Sequence, residues 1–219
     1  HVSCLAEQAK LSVAEAEENN LDGKRWSSRW KPWHTCSLCG QQYHGVVRCA
    51  LGWACWKTYV GRPETDEARR LAMTMLGNGL SSGSRYADAL LVREAELSML
   101  RRVGAPQHHI LNTQTNLANT YQYLGRLEHS LQLERDVYHG SLRLLGEEHR
   151  DTLISVNNLA ATLFKLKRFE EAKSLLRKIM PVVRRVFGEN DEFTIAMRMF
   201  YARMLYMDHG GTLDDLHEA

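Results

Sequence analysis

Two thiols separated by two residues, Cys36 and Cys39, are the sharpest chemical signal in the sequence. A tight turn between them lets both thiolates reach one tetrahedral zinc ion. His1-x2-Cys4 forms a second pair of the same kind upstream, while His44 and Cys49 follow Cys39 and offer a self-contained set, Cys36, Cys39, His44 and Cys49. The third reading is structural: Cys49 and Cys55, with Leu51, Trp53 and Trp56, are thiols buried in an apolar cap, a role free cysteine fills well. All five cysteines are thus metal ligands or free thiols, an odd number in a chain that opens without a secretory signal. Acid–base or nucleophilic catalysis finds no frame here, because the sequence has no glycine-rich phosphate loop, no HExxH and no nucleophile elbow.

Read forward, Cys36-x2-Cys39-x4-His44-x4-Cys49 resembles the CCHC zinc knuckle, with Gly40 after the second cysteine. That resemblance implies single-stranded nucleic acid as partner. The bulky Tyr43 and the lack of Lys or Arg between Cys36 and His44 make nucleic acid the weaker expectation. Read backward, His1-x2-Cys4-Leu5, a helix, and then Trp33-x2-Cys36-x2-Cys39 with Tyr43 resemble the second half of a RING-CH (variant RING) finger. There His1 and Cys4 would serve one zinc, and Cys36 and Cys39 the other. The resemblance implies Zn2+ as cofactor and a ubiquitin-conjugating enzyme as partner of an E3 ubiquitin ligase, the finger itself supplying no catalytic side chain. Its first four cysteines would precede His1, and the connector from Cys4 to Cys36 is longer than such fingers need.

These residues are carried by a chain organised around a 42-residue repeat. Asn116-Leu117-Ala118 and Gly125-Arg126-Leu127-Glu128 return as Asn158-Leu159-Ala160 and Lys167-Arg168-Phe169-Glu170, and Gly146-Glu147-Glu148-His149 returns as Gly188-Glu189-Asn190-Asp191. A fixed period of this size marks stacked repeats. Within a unit Leu117, Tyr121 and Leu124, then Leu127, Leu131, Val137 and Leu142, fall at helical spacing, so each unit is two amphipathic helices broken by glycine. The helices are predicted at about 65–80, 86–102, 109–124, 127–144, 151–166, 169–187 and 193–207, with another beginning near 212. Pro181 should kink the sixth of these.

The pattern resembles the tetratricopeptide repeat, and its period with a Leu-Gly-Glu-x-His/Asp loop is similar to the kinesin light chain type. Small residues recur where paired helices would touch: Gly77 and Ala89, Ala118 and Ser130, Ala160 and Ala172. The expected fold is all-α, a solenoid of antiparallel helix pairs over 64–219 (units 64–104, 105–146, 147–188 and an incomplete 189–219) behind a Cys/Trp-rich module, 1–63, that ends at Gly61-Arg62-Pro63. First helices of such pairs line a concave face. The repeat register puts Thr74, Met75, Asn78, Thr115, Asn116, Asn119, Asn157, Asn158, Ala161, Met199, Phe200 and Arg203 there. Asparagine is a poor helix former, so Asn78, Asn116, Asn119, Asn157 and Asn158 carry a small cost, which either a groove for extended peptides accounts for, since amides donate to and accept from a peptide backbone, or the solvation of an exposed face and bonds between neighbouring helices. Protein or peptide partners are therefore expected, with Thr115 and Arg203 among the contacts.

Bulk properties agree with a binding protein. A net charge of +2 supplies no overall drive towards nucleic acid or anionic membrane, and no apolar run is long enough to span a bilayer. Cytosol or nucleus is the default compartment. The basic run Lys165, Lys167, Arg168, Lys173, Arg177 and Lys178 is interleaved with Glu170 and Glu171 and reads as a solvated helix face. Since His1 is not a methionine and the repeats stop in mid-unit, the sequence reads as a fragment.

Overall fold

The computed structural model describes residues 1–207. Among them the chain forms ten α-helices and one short 3-10 turn, with no strand beyond an isolated bridge between Thr35 and Gln42. The expected all-α class holds. The helical segment anticipated near 212 lies outside the described residues. The chain divides into two compact units, His1–Pro106 and Gln107–Ala219.

The first unit contains α1 (Val2–Glu18), α2 (Gly23–Ser28), the 3-10 turn Lys31–Trp33, α3 (Gly45–Tyr59), α4 (Glu67–Ser82) and α5 (Tyr86–Arg102). Ala6, Ala9 and Val13, one stripe of α1, pack with Trp30, Trp33, Leu51, Cys55 and Tyr59 into a single core that Ala68 and Ala72 of α4 extend. The rings of Trp30 and Trp33 lie 5.2 and 6.2 Å from that of Tyr59. Outside this core Arg62 clamps Glu17 through two bonds of 2.6 and 2.9 Å while lying 4.9 Å over the Tyr59 ring. The tryptophan-bearing segment 24–33, whose sequence shows no clear period, is therefore largely helical, because its tryptophans gain more from burial than an irregular chain would. Val46 to Tyr59 is one helix. Trp53 is 37% exposed and so lies outside the apolar cap, whereas Leu51 and Cys55 are fully buried.

Helices α3 and α4 meet at glycines. A Cβ on Gly52 would stand 2.8 Å from the Met75 carbonyl oxygen, and one on Gly79 would stand 2.7 Å from that of Arg48. Only hydrogen at these two positions lets the backbones come so near. Asp66 caps α4 by accepting from the amides of Ala68 (2.7 Å) and Arg69 (3.4 Å). Gly61-Arg62-Pro63, the expected boundary, falls in the turn between α3 and α4 inside this unit.

The second unit contains α6 (Gln107–Tyr123), α7 (Leu127–Leu145), α8 (Arg150–Lys165), α9 (Phe169–Phe187) and α10 (Glu192–Met207), close to the helices read from the period. Leu153, Val156, Leu159, Ala160 and Leu163 of α8 and Ala172, Leu176, Ile179 and Val183 of α9 share one core with Met197, Tyr201 and Met204 of α10. The recurring small residues Ala118, Ser130, Ala160 and Ala172 are all fully buried, as helix contact requires.

The repeat's loop signature has a local cause. Gly146 and Gly188 end α7 and α9 at φ 87° and 95°, where glycine is not penalised. Three residues on, His149 Nδ1 accepts from the Asp151 amide at 3.2 Å, and Asp191 Oδ1 accepts from the Phe193 amide at 2.9 Å, so each side chain caps the next helix. Helix α9 runs on through Pro181, which sits on its exposed side.

Candidate functional site

The face shared by α6, α8 and α10 carries two shallow pockets. The first, about 270 Å³, lies between α6 and α8 and is lined by Asn119, Gln122, Tyr123 and Lys165. The second, about 250 Å³, lies between α8 and α10 and is lined by Asn157, Ala161, Phe193, Ala196, Met197 and Phe200. One is polar with an ammonium group at its wall, and the other is apolar with a single amide at its edge. With α8 walling both, they offer an extended segment one place for a polar group and another for an apolar side chain.

The first pocket rests on a buried network. Gln122 Nε2 donates to Glu134 Oε1 on α7 at 2.7 Å and to Thr162 Oγ1 on α8 at 2.8 Å, and Ser130 Oγ donates to Glu134 Oε1 at 3.3 Å. Lys165 Nζ in turn donates to Gln122 Oε1. Burial pushes the Glu134 carboxyl above the ordinary carboxylate range, while hydrogen bonds from Thr162, Gln122 and Ser130 and the charge of Lys165 pull it back. Phe164 makes an edge contact with Phe200 at 5.5 Å beside the second pocket.

Several of the residues expected to contact a partner lie at these pockets. Asn119 lines the first pocket and Asn157, Ala161 and Phe200 line the second. Asn116 and Asn158 are half-buried, as is Thr115, whose hydroxyl donates to the Leu111 carbonyl at 3.0 Å. The Arg203 guanidinium lies 5.5 Å over the Phe164 ring, so its position is set by a cation–π contact.

Asn78 is differently placed: it accepts from Arg93 of α5 at 3.0 Å, Thr74 donates to Glu96 of α5 at 2.5 Å, and Met75 packs into the core that α3 shares. In the first unit α3 and α5 engage that register. Gln122, Tyr123 and Lys165 were not among the expected residues. Gln122 and Tyr123 lie one turn beyond Asn119, and Lys165 stands 43 residues after Gln122, so the pair meets only once α6 and α8 are stacked. The basic run is only partly a solvated face: Arg168 pairs with Glu171 at 2.5 Å at the surface, whereas Lys173, which pairs with Glu170 at 2.6 Å, is itself buried.

The cysteines divide by environment. Cys36 opens a closed turn in which its amide donates to the Gln41 carbonyl at 2.8 Å and the Gly40 amide donates to the Cys36 carbonyl at 3.0 Å, with Gly40 at φ 71°. The backbone N–H groups of Cys39 and Leu38, then the Cys39 and Tyr43 side chains, hydrogen-bond to the Cys36 sulfur and hold its thiol below the usual range. This turn fits two of the four ligands of a zinc ion.

No group of three or more His, Cys, Asp or Glu side chains converges on a metal position among the described residues, so neither expected set is gathered. His44 is held at the N-cap of α3, and Cys49 of α3 packs at Gly83, the C-cap of α4. Cys4 is exposed on α1, and His1 is its N-cap. Cys55 is buried, which pushes its thiol up. No described helix is long and apolar enough to cross a membrane.

Structures similar to this chain include a Podosopora anserina protein with nearly identical TPR-like repeats, described as a kinesin light chain (TM-score 0.65, 18% identity, covering 100% of this chain and 92% of that one). The structure of a variant of the same protein gives the same values. BtubC (BKLC) from P. vanneervenii is also similar, with TM-score 0.66 and 16% identity over 77% of this chain and 68% of that one. At these identities the likeness establishes the fold, an all-α tetratricopeptide-type array. No curated protein sequence matches the chain. The tetratricopeptide repeat family matches at 110–151 and 152–192, so these two segments, which line the first pocket, are tetratricopeptide repeats, whereas Phe193, Ala196, Met197 and Phe200 of the second pocket lie beyond them.

Proposed function

We propose that the protein is an interaction scaffold that binds an extended segment of a partner protein along the face of α6, α8 and α10. The observation that carries this reading is the pair of pockets, both walled by α8, lined by the amides Asn119, Gln122 and Asn157, the ammonium group of Lys165 and the apolar surfaces of Phe193, Met197 and Phe200. Amides bond a peptide backbone in either sense, and the apolar pocket supplies burial for an anchoring side chain. The function is binding, with no chemical step.

Peptides selected from a random display library against the protein provide the ligand for a test. Combining Asn119→Ala with Asn157→Ala is expected to weaken the selected peptides about ten-fold or more, a loss of roughly 1.4 kcal/mol. Leu144→Ala, at an exposed position on α7, should leave affinity unchanged. Equal affinities for the double variant and the unsubstituted protein would remove the basis for this face.

The Cys36 turn favours a second, additional reading: Cys36 and Cys39 hold one half of a zinc site of the RING-CH kind. Its support is the pair of backbone amides directed at the Cys36 sulfur, an arrangement that stabilises a thiolate, the form that binds zinc. A bound ion would fix the turn and present Leu38, 97% exposed at its tip, to a partner such as a ubiquitin-conjugating enzyme. Because the other ligands of such a finger would precede His1, the test is native mass spectrometry of the full-length protein loaded with zinc, which is expected to show bound metal that Cys36→Ser removes. Metal retained in Cys36→Ser, or none taken up by the unsubstituted protein, sinks this reading.

A further inference from the structure

The network beneath the first pocket assigns a role to a residue that does not line it. Glu134 is 3% exposed and lies on α7, behind the α6/α8 face. Its Oε1 accepts from both Gln122 Nε2 and Ser130 Oγ. A carboxylate oxygen can only accept, so Glu134 compels Gln122 to turn its amide nitrogen inward. That nitrogen has two hydrogens, and Glu134 and Thr162 take both. The amide oxygen is left facing the pocket wall, where Lys165 Nζ donates to it. With the amide reversed, its N–H groups would confront the Lys165 ammonium, donor against donor, and Glu134 Oε1 would face the amide oxygen.

We infer that Glu134 is a positioning residue for the pocket between α6 and α8: acting through Gln122, it holds Lys165 at the wall and fixes the pocket as a donor surface for a guest bearing hydrogen-bond acceptors. The inference rests on the reading of this face as the binding face, although the relay itself is tested without a ligand. The chain of bonds crosses three helices, from α7 through α6 to α8, so the polarity of the surface is set from the layer behind it.

Trace acylation with acetic anhydride, quantified residue by residue by mass spectrometry, reads the state of Lys165 against Lys167, exposed two residues on. The Lys165 amino group must leave its hydrogen bond to Gln122 before it can meet the reagent, so Lys165 is expected to react several-fold more slowly than Lys167 in the unsubstituted protein. Glu134→Leu and Gln122→Leu should each bring the two rates within about two-fold, whereas Glu134→Gln, which keeps an acceptor oxygen, should stay near the original ratio. A gain with Gln122→Leu but none with Glu134→Leu overturns the relay.

If Glu134→Leu does not fold, the unsubstituted protein still decides the matter. Both Gln122 Nε2 protons should exchange at least about ten-fold more slowly than those of the exposed Gln41 in side-chain amide NMR, and equal exchange overturns the inference. With the selected peptides, a loss in Asn119→Ala/Asn157→Ala without one in Glu134→Leu removes Glu134 from binding and spares the face. No loss in the double variant removes the face, while the labelling result still reports on the relay.

Discussion

Replacing Gly79 with alanine is expected to destabilise the first unit by about 3 kcal/mol, at the upper end of what an overpacked core position costs. The added Cβ would meet the Arg48 carbonyl oxygen at 2.7 Å and the Cys49 Cα at 3.2 Å, and neither is the free end of a side chain that could swing aside. Relief requires α3 to move off α4 along its length. Gly52→Ala meets the Met75 carbonyl oxygen at 2.8 Å and should cost a similar amount.

Gly77, on the same helix, is the internal control: its Cβ would find the Arg93 side chain at 3.5 Å, an ordinary contact. Alanine there removes conformational freedom from the unfolded chain and should be neutral or stabilising, by up to about 1 kcal/mol. All five tryptophans precede residue 57, so tryptophan fluorescence during urea unfolding reports the first unit alone. Equal midpoints for Gly79→Ala and Gly77→Ala would show that α3 does not lie in backbone contact with α4.

This crossing marks the limit of what the sequence discloses. Repetition made the second unit readable, because each residue type could be checked against its counterpart 42 positions away. Gly146 and Gly188 end helices, and His149 and Asp191 cap the next ones, so the recurring loop is a recurring solution to helix ends. The first sixty residues have no such counterpart. Gly52 and Gly79 mean little separately, and their role emerges only when α3 and α4 cross.

The same holds for the face of α6, α8 and α10 proposed to bind a partner. Asn119 and Asn157 follow from register, but the Gln122–Lys165 bond needs two helices from successive units. Register also misled at Asn78, since it says which way a residue faces and not what already stands there: Arg93 does. For the cysteines, spacing identified the turn at Cys36, yet the amides directed at its sulfur belong to backbone geometry that spacing does not contain.

Trp33→Ala should lower the stability of the first unit by about 3–5 kcal/mol, the range for truncating a fully buried aromatic side chain. Trp33 is 2% exposed, packs edge-on to Tyr59 at 6.2 Å and belongs to the core that joins α1, α3 and the start of α4. A cavity there has little chance to collapse, because Trp30 and Tyr59 already hold each other at 5.2 Å.

Trp53→Ala is the matched comparison, since this side chain is 37% exposed and should cost under about 1 kcal/mol. The contrast separates two accounts of the Cys/Trp-rich segment. If it were a module stabilised chiefly by metal at Cys36 and Cys39, chelation would move the unfolding midpoint more than Trp33→Ala does. If its stability comes from the aromatic core shared with α4, as the packing indicates, Trp33→Ala dominates with or without chelator. The Cys36 turn then remains a local feature carried on a core that folds without it.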